Sequence, residues 1–259
     1  MTIEKKTLIV TGASRGLGAA IATIGAVMGA NVVITARSTE ALQAVAGQIR
    51  AAGGRVLAVA GDVSQAEDCQ AVIQKTLDQF GRIDGLINNA GVIEPIARFA
   101  QANLQAWQQN WSINFLGPVM LSQMALPHLR GTHGRLVSIS SGAAAHPIQG
   151  WTAYSTAKTA LEHFTRILAI EEPDITALAV RPGVVDTAMQ TTIRDKGKDI
   201  MAESDYGRLY GLYDKGKLVT PEESGRAIVV LSLYAPTEWS GETLVWNEER
   251  VQQLVGANS

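Results

Sequence analysis

The stretch "VTGASRGLGAAI", residues 10–21, decides how the chain folds. An apolar run, "TLIV", leads into it, and small apolar residues at helical spacing follow. Between them Gly12, Gly16 and Gly18 remove side chains where a strand must turn sharply into a helix. Such a turn brings bare backbone close to a ligand. The unpaired N–H groups at the helix start then face an anion such as a pyrophosphate. The spacing is T-G-x-x-x-G-x-G rather than the commoner G-x-G-x-x-G. Glycines also serve plain turns, so it is the strand-to-helix context that gives the triplet weight. The loop Gly12, Ser14, Arg15, Gly16, Leu17 and Gly18 is therefore the expected cradle of a dinucleotide.

Outward from this loop, short β-branched runs alternate with longer helical patterns. The strand candidates are "TLIVTG", "NVVITA", "RVLAVAGD", "GLINNAG", "GRLVSISS", "ITALAVRPG" and "GETLVWN". Several are apolar throughout, as expected of strands covered on both faces of a parallel sheet. "STEALQAVAGQIRAAGG" carries a Ser cap at one end and Gly-Gly at the other, the marks of a helix between two strands. The fold predicted is α/β, Rossmann-like: a doubly wound, seven-stranded parallel sheet with helices on both faces. The whole of 1–259 is expected to form one domain. In such sheets ligands bind where the strand order reverses, at the carboxyl ends of the strands. The segments ending in "TGAS", "AGDV", "NNAG", "SISS" and "VRPG" should then line one edge. From Thr187 to Thr220 the strand pattern lapses and Met189, Met201, Tyr206, Tyr210 and Tyr213 are scattered through the gap. An insertion there, at about 187–220, is either a substrate lid or a surface helical hairpin.

Composition narrows the function. With 46% apolar residues, the 259-residue chain can bury a large core. A net charge of −2 supplies no field for nucleic acid or an anionic membrane, and neither is expected as a partner. The single cysteine, Cys69, excludes an internal disulfide and a multi-cysteine zinc site. The histidines show no metal-ligand spacing, and no metal is expected. The apolar run after Lys5-Lys6 is too short for a signal peptide's core. "AAIATIGAVMGANVVITA" has the length of a membrane span but breaks at Gly29-Ala30-Asn31 into a helix and a strand. A cytoplasmic location is expected.

The second strand ends "VVITARS". An acidic side chain there would hold ribose hydroxyls and favour NAD; Ala36 and Arg37 stand in that place, and Arg15 lies in the glycine loop. Two guanidinium groups suit a 2′-phosphate, so NADP(H) is the expected cofactor, unless both arginines are merely solvated.

Taken in order, "TGASRGLG", "GDV" (residues 61–63), "NNAG" (88–91), "SINFLG" around Asn114, "SISS" ending at Ser141, "YSTAK" (154–158) and "RPGVVDT" (181–187) closely resemble the single-domain short-chain dehydrogenase/reductase family over almost the whole chain. The resemblance implies that Asp62 and Val63 contact an adenine ring. Asn89, Ala90 and Gly91 would line the adenosine side, and Pro182, Gly183, Val185 and Thr187 would hold a nicotinamide. It also implies a catalytic set of Asn114, Ser141, Tyr154 and Lys158, with Ser141 preferred over Ser140. Within the family, "NAGVIEPI" and "AVRPGVVDTAMQTTIR" look like the branch of sepiapterin reductases and benzil (1,2-diketone) reductases. At the final strand Asn247 and Glu248 stand near where sepiapterin reductases keep a pterin-anchoring aspartate.

Tyr154 and Lys158 are four residues apart and so share a helix face. A free phenol has a pKa of about 10; a nearby ammonium, or an oxidised nicotinamide, favours its ionised form and brings it toward the working pH. In that reading Tyr154 protonates a carbonyl oxygen that Ser141 also binds, Lys158 holds the nicotinamide ribose and biases Tyr154, and Asn114 positions a relaying water. Tyr154 and Lys158 thus also count as cofactor contacts. The pocket wall is read as small and apolar, with Ile93, Pro95, Ala143, Ala144, Val184 and Met189, together with Tyr210 from the insertion. Trp151 is either wall or core. Glu94 either meets a polar substrate group or caps a turn, and His146 borders the site. The expected activity is NADPH-dependent reduction of a hydrophobic, aromatic ketone or 1,2-diketone. The alternatives are an NADP-dependent alcohol or steroid dehydrogenase, and a non-catalytic NADP(H) sensor. A homo-oligomer is expected, a dimer ahead of a tetramer.

Overall fold

The computed structural model describes residues 6–258. Seven strands form one parallel sheet in the order β3-β2-β1-β4-β5-β6-β7. They are β1 (Thr7–Thr11), β2 (Asn31–Ala36), β3 (Arg55–Ala60), β4 (Gly85–Asn88), β5 (Arg135–Ile139), β6 (Thr176–Arg181) and β7 (Thr243–Val245). Each falls within one of the seven runs read from the sequence. The helices are α1 (Gly16–Val27), α2 (Thr39–Ala51), α3 (Ala66–Phe80), α4 (Leu104–Trp111), α5 (Gly117–Thr132), α6 (Thr152–Glu171), α7 (Ala188–Gly197), α8 (Glu203–Asp214), α9 (Pro221–Tyr234) and α10 (Glu249–Ala257).

The pleat explains the two cores. Successive strand residues point to opposite faces. Leu8, Val10, Val32, Ile34, Ile87, Val137 and Leu178 point to one side, where α1, α2, α9 and α10 cover them. Ile9, Val33, Leu86, Leu136 and Ala177 point to the other, under α3, α5 and α6. Two-sided cover is why these strands read as unbroken apolar runs. Local signals hold too: the Ser38 side chain accepts the Ala41 N–H at the start of α2. At α9, Thr220 and Glu223 form a reciprocal capping box ahead of Pro221.

The chain winds outward from β1 through β2 to β3, then restarts at β4 beside β1 and winds the other way. The crevice between the ends of β1 and β4 is therefore the switch point. It is bolted shut below by Thr11, whose hydroxyl accepts the Asn89 and Ala90 N–H groups at 2.9 Å each. Asn89 Nδ2 in turn donates to the Thr11 carbonyl at 2.8 Å. Residues 187–220 hold the helices α7 and α8, joined back to the sheet end by a bridge between Val185 and Val219. Among the described residues no helix is long and apolar enough to cross a membrane.

Candidate active site

All five strand-end segments meet around one open cleft of about 1720 Å³. At one end lie Gly12, Ser14, Arg15, Gly16, Leu17 and Gly18, with Arg37, Asp62, Val63, Asn89, Ala90 and Gly91 beside them. The glycines are needed where they stand. A Cβ on Gly18 would lie 2.4 Å from the Gly12 carbonyl oxygen, and one on Gly12 would lie 2.8 Å from Ala90 Cα. Gly12 and Gly16 also have φ of 66° and 53°, a region L side chains avoid. Helix α1 starts with no side-chain cap and no acidic residue in its first turn, so its N–H groups and positive dipole end are left for a ligand. Bare backbone and an open helix N-terminus together fit the pyrophosphate of a nicotinamide dinucleotide. Asp62 is already engaged: its carboxylate accepts the Ser64 N–H and hydroxyl at 2.9 and 2.8 Å.

At the other end Ser141, Tyr154 and Lys158 converge. Tyr154 and Lys158 are buried, 7% and 3% exposed, on the same face of α6, with the Lys158 ammonium 5.7 Å from the Tyr154 ring centre. Lys158 Nζ donates to the Ile139 carbonyl at 2.8 Å. The Ser141 hydroxyl lies beside the Tyr154 phenol, close enough to favour its ionised form. Ser140, its neighbour, is turned away: its hydroxyl donates to Glu162 at 2.6 Å. The electrostatics differ from the expectation. Burial pushes the Tyr154 phenol up, and the Ser141 hydroxyl only partly offsets this. Burial also pulls the Lys158 ammonium down to about 8. Burial thus dominates at both groups, because each charged form loses its water.

Asn114 does not line the cleft. It lies fully buried behind it, in a π-helical stretch, Ser112–Leu116, that joins α4 to α5. Its Oδ1 accepts the Val92 N–H at 3.2 Å and its Nδ2 donates to the Val92 carbonyl at 2.8 Å. A Cβ on Gly91 would come within 2.8 Å of Asn114 Oδ1 and 3.6 Å of Lys158 Nζ, so Gly91 belongs to this end of the cleft as well.

Ile93, Glu94, Ala143, His146, Trp151, Val184 and Met189 line the cleft, as do Pro182, Gly183, Val185 and Thr187. Trp151 is both wall and core: it packs edge-on against Tyr154, with ring centres 5.9 Å apart. Glu94 pairs with Lys196 of α7 at 2.5 Å. Tyr210, expected in the pocket wall, is not part of it. It lies outside the cleft, 43% exposed, stacked on Tyr206. Helix α8 turns Leu209 inward in its place, a one-residue shift that the weak pattern of the insertion could not resolve. Pro95 and Ala144 likewise stand outside the lining. Glu248 is occupied elsewhere, accepting the Val245 N–H and pairing with Arg250.

Two buried polar residues escaped the sequence reading. Asn110 donates to the Val92 and Glu94 carbonyls at 3.1 and 2.7 Å and accepts from Asn114 at 2.9 Å. Glu162 takes Arg181 in two bonds of 2.9 Å. Each lies four residues beyond or before an expected catalytic residue, so helical spacing was the available signal.

A Rossmann-like sheet with this serine, tyrosine and lysine at its switch-point cleft defines a class: nicotinamide-dependent oxidoreductases acting on CH–OH and C=O groups. The chain belongs to the short chain dehydrogenase family, whose model matches residues 6–198. It is 37% identical over 245 residues to an uncharacterized oxidoreductase of Schizosaccharomyces pombe, covering 93% of this chain and 96% of that one. It is 30% identical over 263 residues to the benzil reductase ((S)-benzoin forming) of Saccharomyces cerevisiae, covering 97% and 99%. Among solved structures, the KRED1-Pglu enzyme superposes with a TM-score of 0.88 at 38% identity, over 92% of this chain and 99% of that one. A short chain dehydrogenase/reductase of Saccharomyces cerevisiae gives 0.91 at 32%, over 96% and 99%.

Proposed function

We propose that the protein is an NADPH-dependent carbonyl reductase whose substrate is a hydrophobic, aromatic ketone or 1,2-diketone. The observation that carries this is the buried Tyr154 side chain, with Ser141 and Lys158 beside it at the apolar end of the cleft. Preference for the 2′-phosphate rests on Arg15 and Arg37, both lining the cleft where an acidic residue would favour NAD. Substrate class rests on a wall of Ile93, Ala143, Ile148, Trp151, Ile193 and Leu209, and on the likeness to the benzil reductase.

A reduced nicotinamide bound there supplies hydride to the carbonyl carbon. The chain's own residues handle the oxygen. Burial keeps the Tyr154 phenol neutral and so holds a proton ready for the oxygen as its charge develops. The Ser141 hydroxyl, placed against the phenol, donates to the same oxygen. Lys158, which donates to the Ile139 carbonyl, would also hold the ribose of a bound nicotinamide cofactor, and its charge would lower the cost of the tyrosinate left behind. Asn114, through Val92, holds the floor beneath Lys158. The helices α7 and α8 act as the lid over the substrate, within a single 259-residue domain. The protein works as a cytoplasmic homodimer; exposed Leu116, Ile167 and Ile170 on α5 and its neighbourhood and on α6 offer the apolar cover, and light scattering tests it.

NADPH absorbance followed against a panel of aromatic ketones and 1,2-diketones tests the reading. Consumption with the diketones, stereoselective and abolished in Tyr154→Phe without loss of NADPH binding, is the expected outcome. An oxidative reading draws on likeness to an 11-beta-hydroxysteroid dehydrogenase-like protein of Arabidopsis thaliana, 39% identical over 207 residues and 67% of that protein. Turnover with steroid alcohols and NADP⁺, but none with carbonyls, would favour it. Tight NADPH binding with no turnover in either direction would leave a sensor.

A further inference from the structure

Glu162 has no part in the reaction as described, yet its carboxylate is buried, with its side chain 8% exposed. A lone buried carboxylate is costly, and this one is fully engaged. Oε1 accepts the Ser140 hydroxyl at 2.6 Å, and both oxygens take the Arg181 guanidinium at 2.9 Å. The partners come from three separate elements. Glu162 sits on α6, one helical turn after Lys158 and two after Tyr154. Ser140 is the first residue past β5, and its N–H donates to the Val180 carbonyl of β6 at 2.8 Å. Arg181 closes β6 and leads directly into Pro182 and Gly183, which line the cleft.

Helix α6 thereby grips consecutive residues at the end of β5. Lys158 holds the Ile139 carbonyl, Glu162 holds the Ser140 hydroxyl and Tyr154 meets the Ser141 hydroxyl. Consecutive residues of an extended chain point to opposite sides. Anchoring Ser140 beneath α6 therefore sends Ser141 into the cleft. The same carboxylate fixes the guanidinium at the root of the Pro182–Gly183 turn. A planar, two-bond arginine–carboxylate contact fixes orientation as well as distance.

We propose that Glu162 is a positioning residue for the reduction, setting Ser141 against Tyr154 and the Arg181–Gly183 turn against the nicotinamide end through its bonds to Ser140 and Arg181. This rests on the carbonyl-reductase reading. Misplacing reacting groups by about 1 Å costs roughly 100-fold in rate, so the effect belongs to turnover rather than to cofactor affinity.

The test separates positioning from simple burial. Buried ion pairs replaced by apolar residues of similar volume often keep or gain stability. Glu162→Met combined with Arg181→Met should therefore unfold near the wild-type temperature and bind NADPH within about 3-fold of it, while kcat falls by about 10–100-fold. Wild-type kcat in that double variant would overturn the proposal. Ser140→Ala supplies a second reading that leaves the ion pair intact: kcat should fall about 3–10-fold with substrate KM little changed. An unchanged kcat there would overturn the link from Glu162 to Ser141, whether or not the double variant folds. Wild-type protein is run beside them. If it consumes no NADPH with any carbonyl, the function itself is at fault and not Glu162.

Discussion

Lys158 is the residue where burial and chemistry pull hardest against each other. Its ammonium is withdrawn from water, and burial brings its pKa from 10.5 down to about 8. The sign of the stability effect follows. Between about 8 and 10.5 the unfolded chain binds more protons at this site than the folded chain does, so stability gained from Lys158 rises with pH across that window. Below it the charged, desolvated amine is a standing penalty of order 3 kcal/mol, offset in part by its bond to Ile139. Lys158→Met should accordingly raise the melting temperature of the cofactor-free protein at pH 7, and the gain should shrink as pH is raised from 8 to 10. A variant less stable than wild type at every pH would show that the bond to Ile139 dominates. Turnover should be lost in the same variant, and this opposition of stability and activity is typical of a strained site.

At the scale of elements, the turn from β1 into α1 and the end of β2 carry cofactor choice. The open N-terminus of α1 can bind any pyrophosphate, so it does not discriminate. Arg15 and Arg37 would do so. Replacing both with Ala should raise the KM for NADPH by about 10–100-fold while that for NADH changes little. Equal losses with both cofactors would place the guanidiniums at the shared pyrophosphate. This turn was legible in the sequence because glycine spacing, strand and helix lie within a dozen residues of one another. The element that was not legible is the join of α4 to α5. A π-helical stretch there re-aims Asn114 into the backbone of Val92, and nothing in "SINFLG" announces a change of helical pitch. Asn110, one turn earlier on α4, ties that join to the Glu94 loop.

Across the whole molecule, the sheet brings five strand ends to one cleft, and α7 and α8 roof its apolar end. Leu209 is the inward residue of that roof, 6% exposed and packed in the cluster that holds Trp151 and Tyr154. Truncating it to Ala should raise KM for an aromatic carbonyl by about 10-fold and leave NADPH binding unchanged, measured by steady-state kinetics and fluorescence titration. Loss of cofactor binding instead would mean that α8 braces the dinucleotide end. The roof was the poorest part of the sequence reading. Tyr210 was expected in the cleft and Leu209 was not, because a two-helix excursion on a surface lacks the two-sided burial that makes a strand's pattern unambiguous.

The sequence by itself determined what depends on neighbours along the chain: seven strands, the glycine turn, and the four-residue step from Tyr154 to Lys158. These are properties of period and backbone freedom, and they act over one or two turns. Only the tertiary structure decided that the other of the two adjacent serines, Ser140, is held by a buried glutamate, Glu162. It also decided that Tyr154 is buried, which pushes its phenol up. Solvent exclusion and contacts between distant strands and helices set those outcomes, and both come into being only when the sheet closes around the cleft.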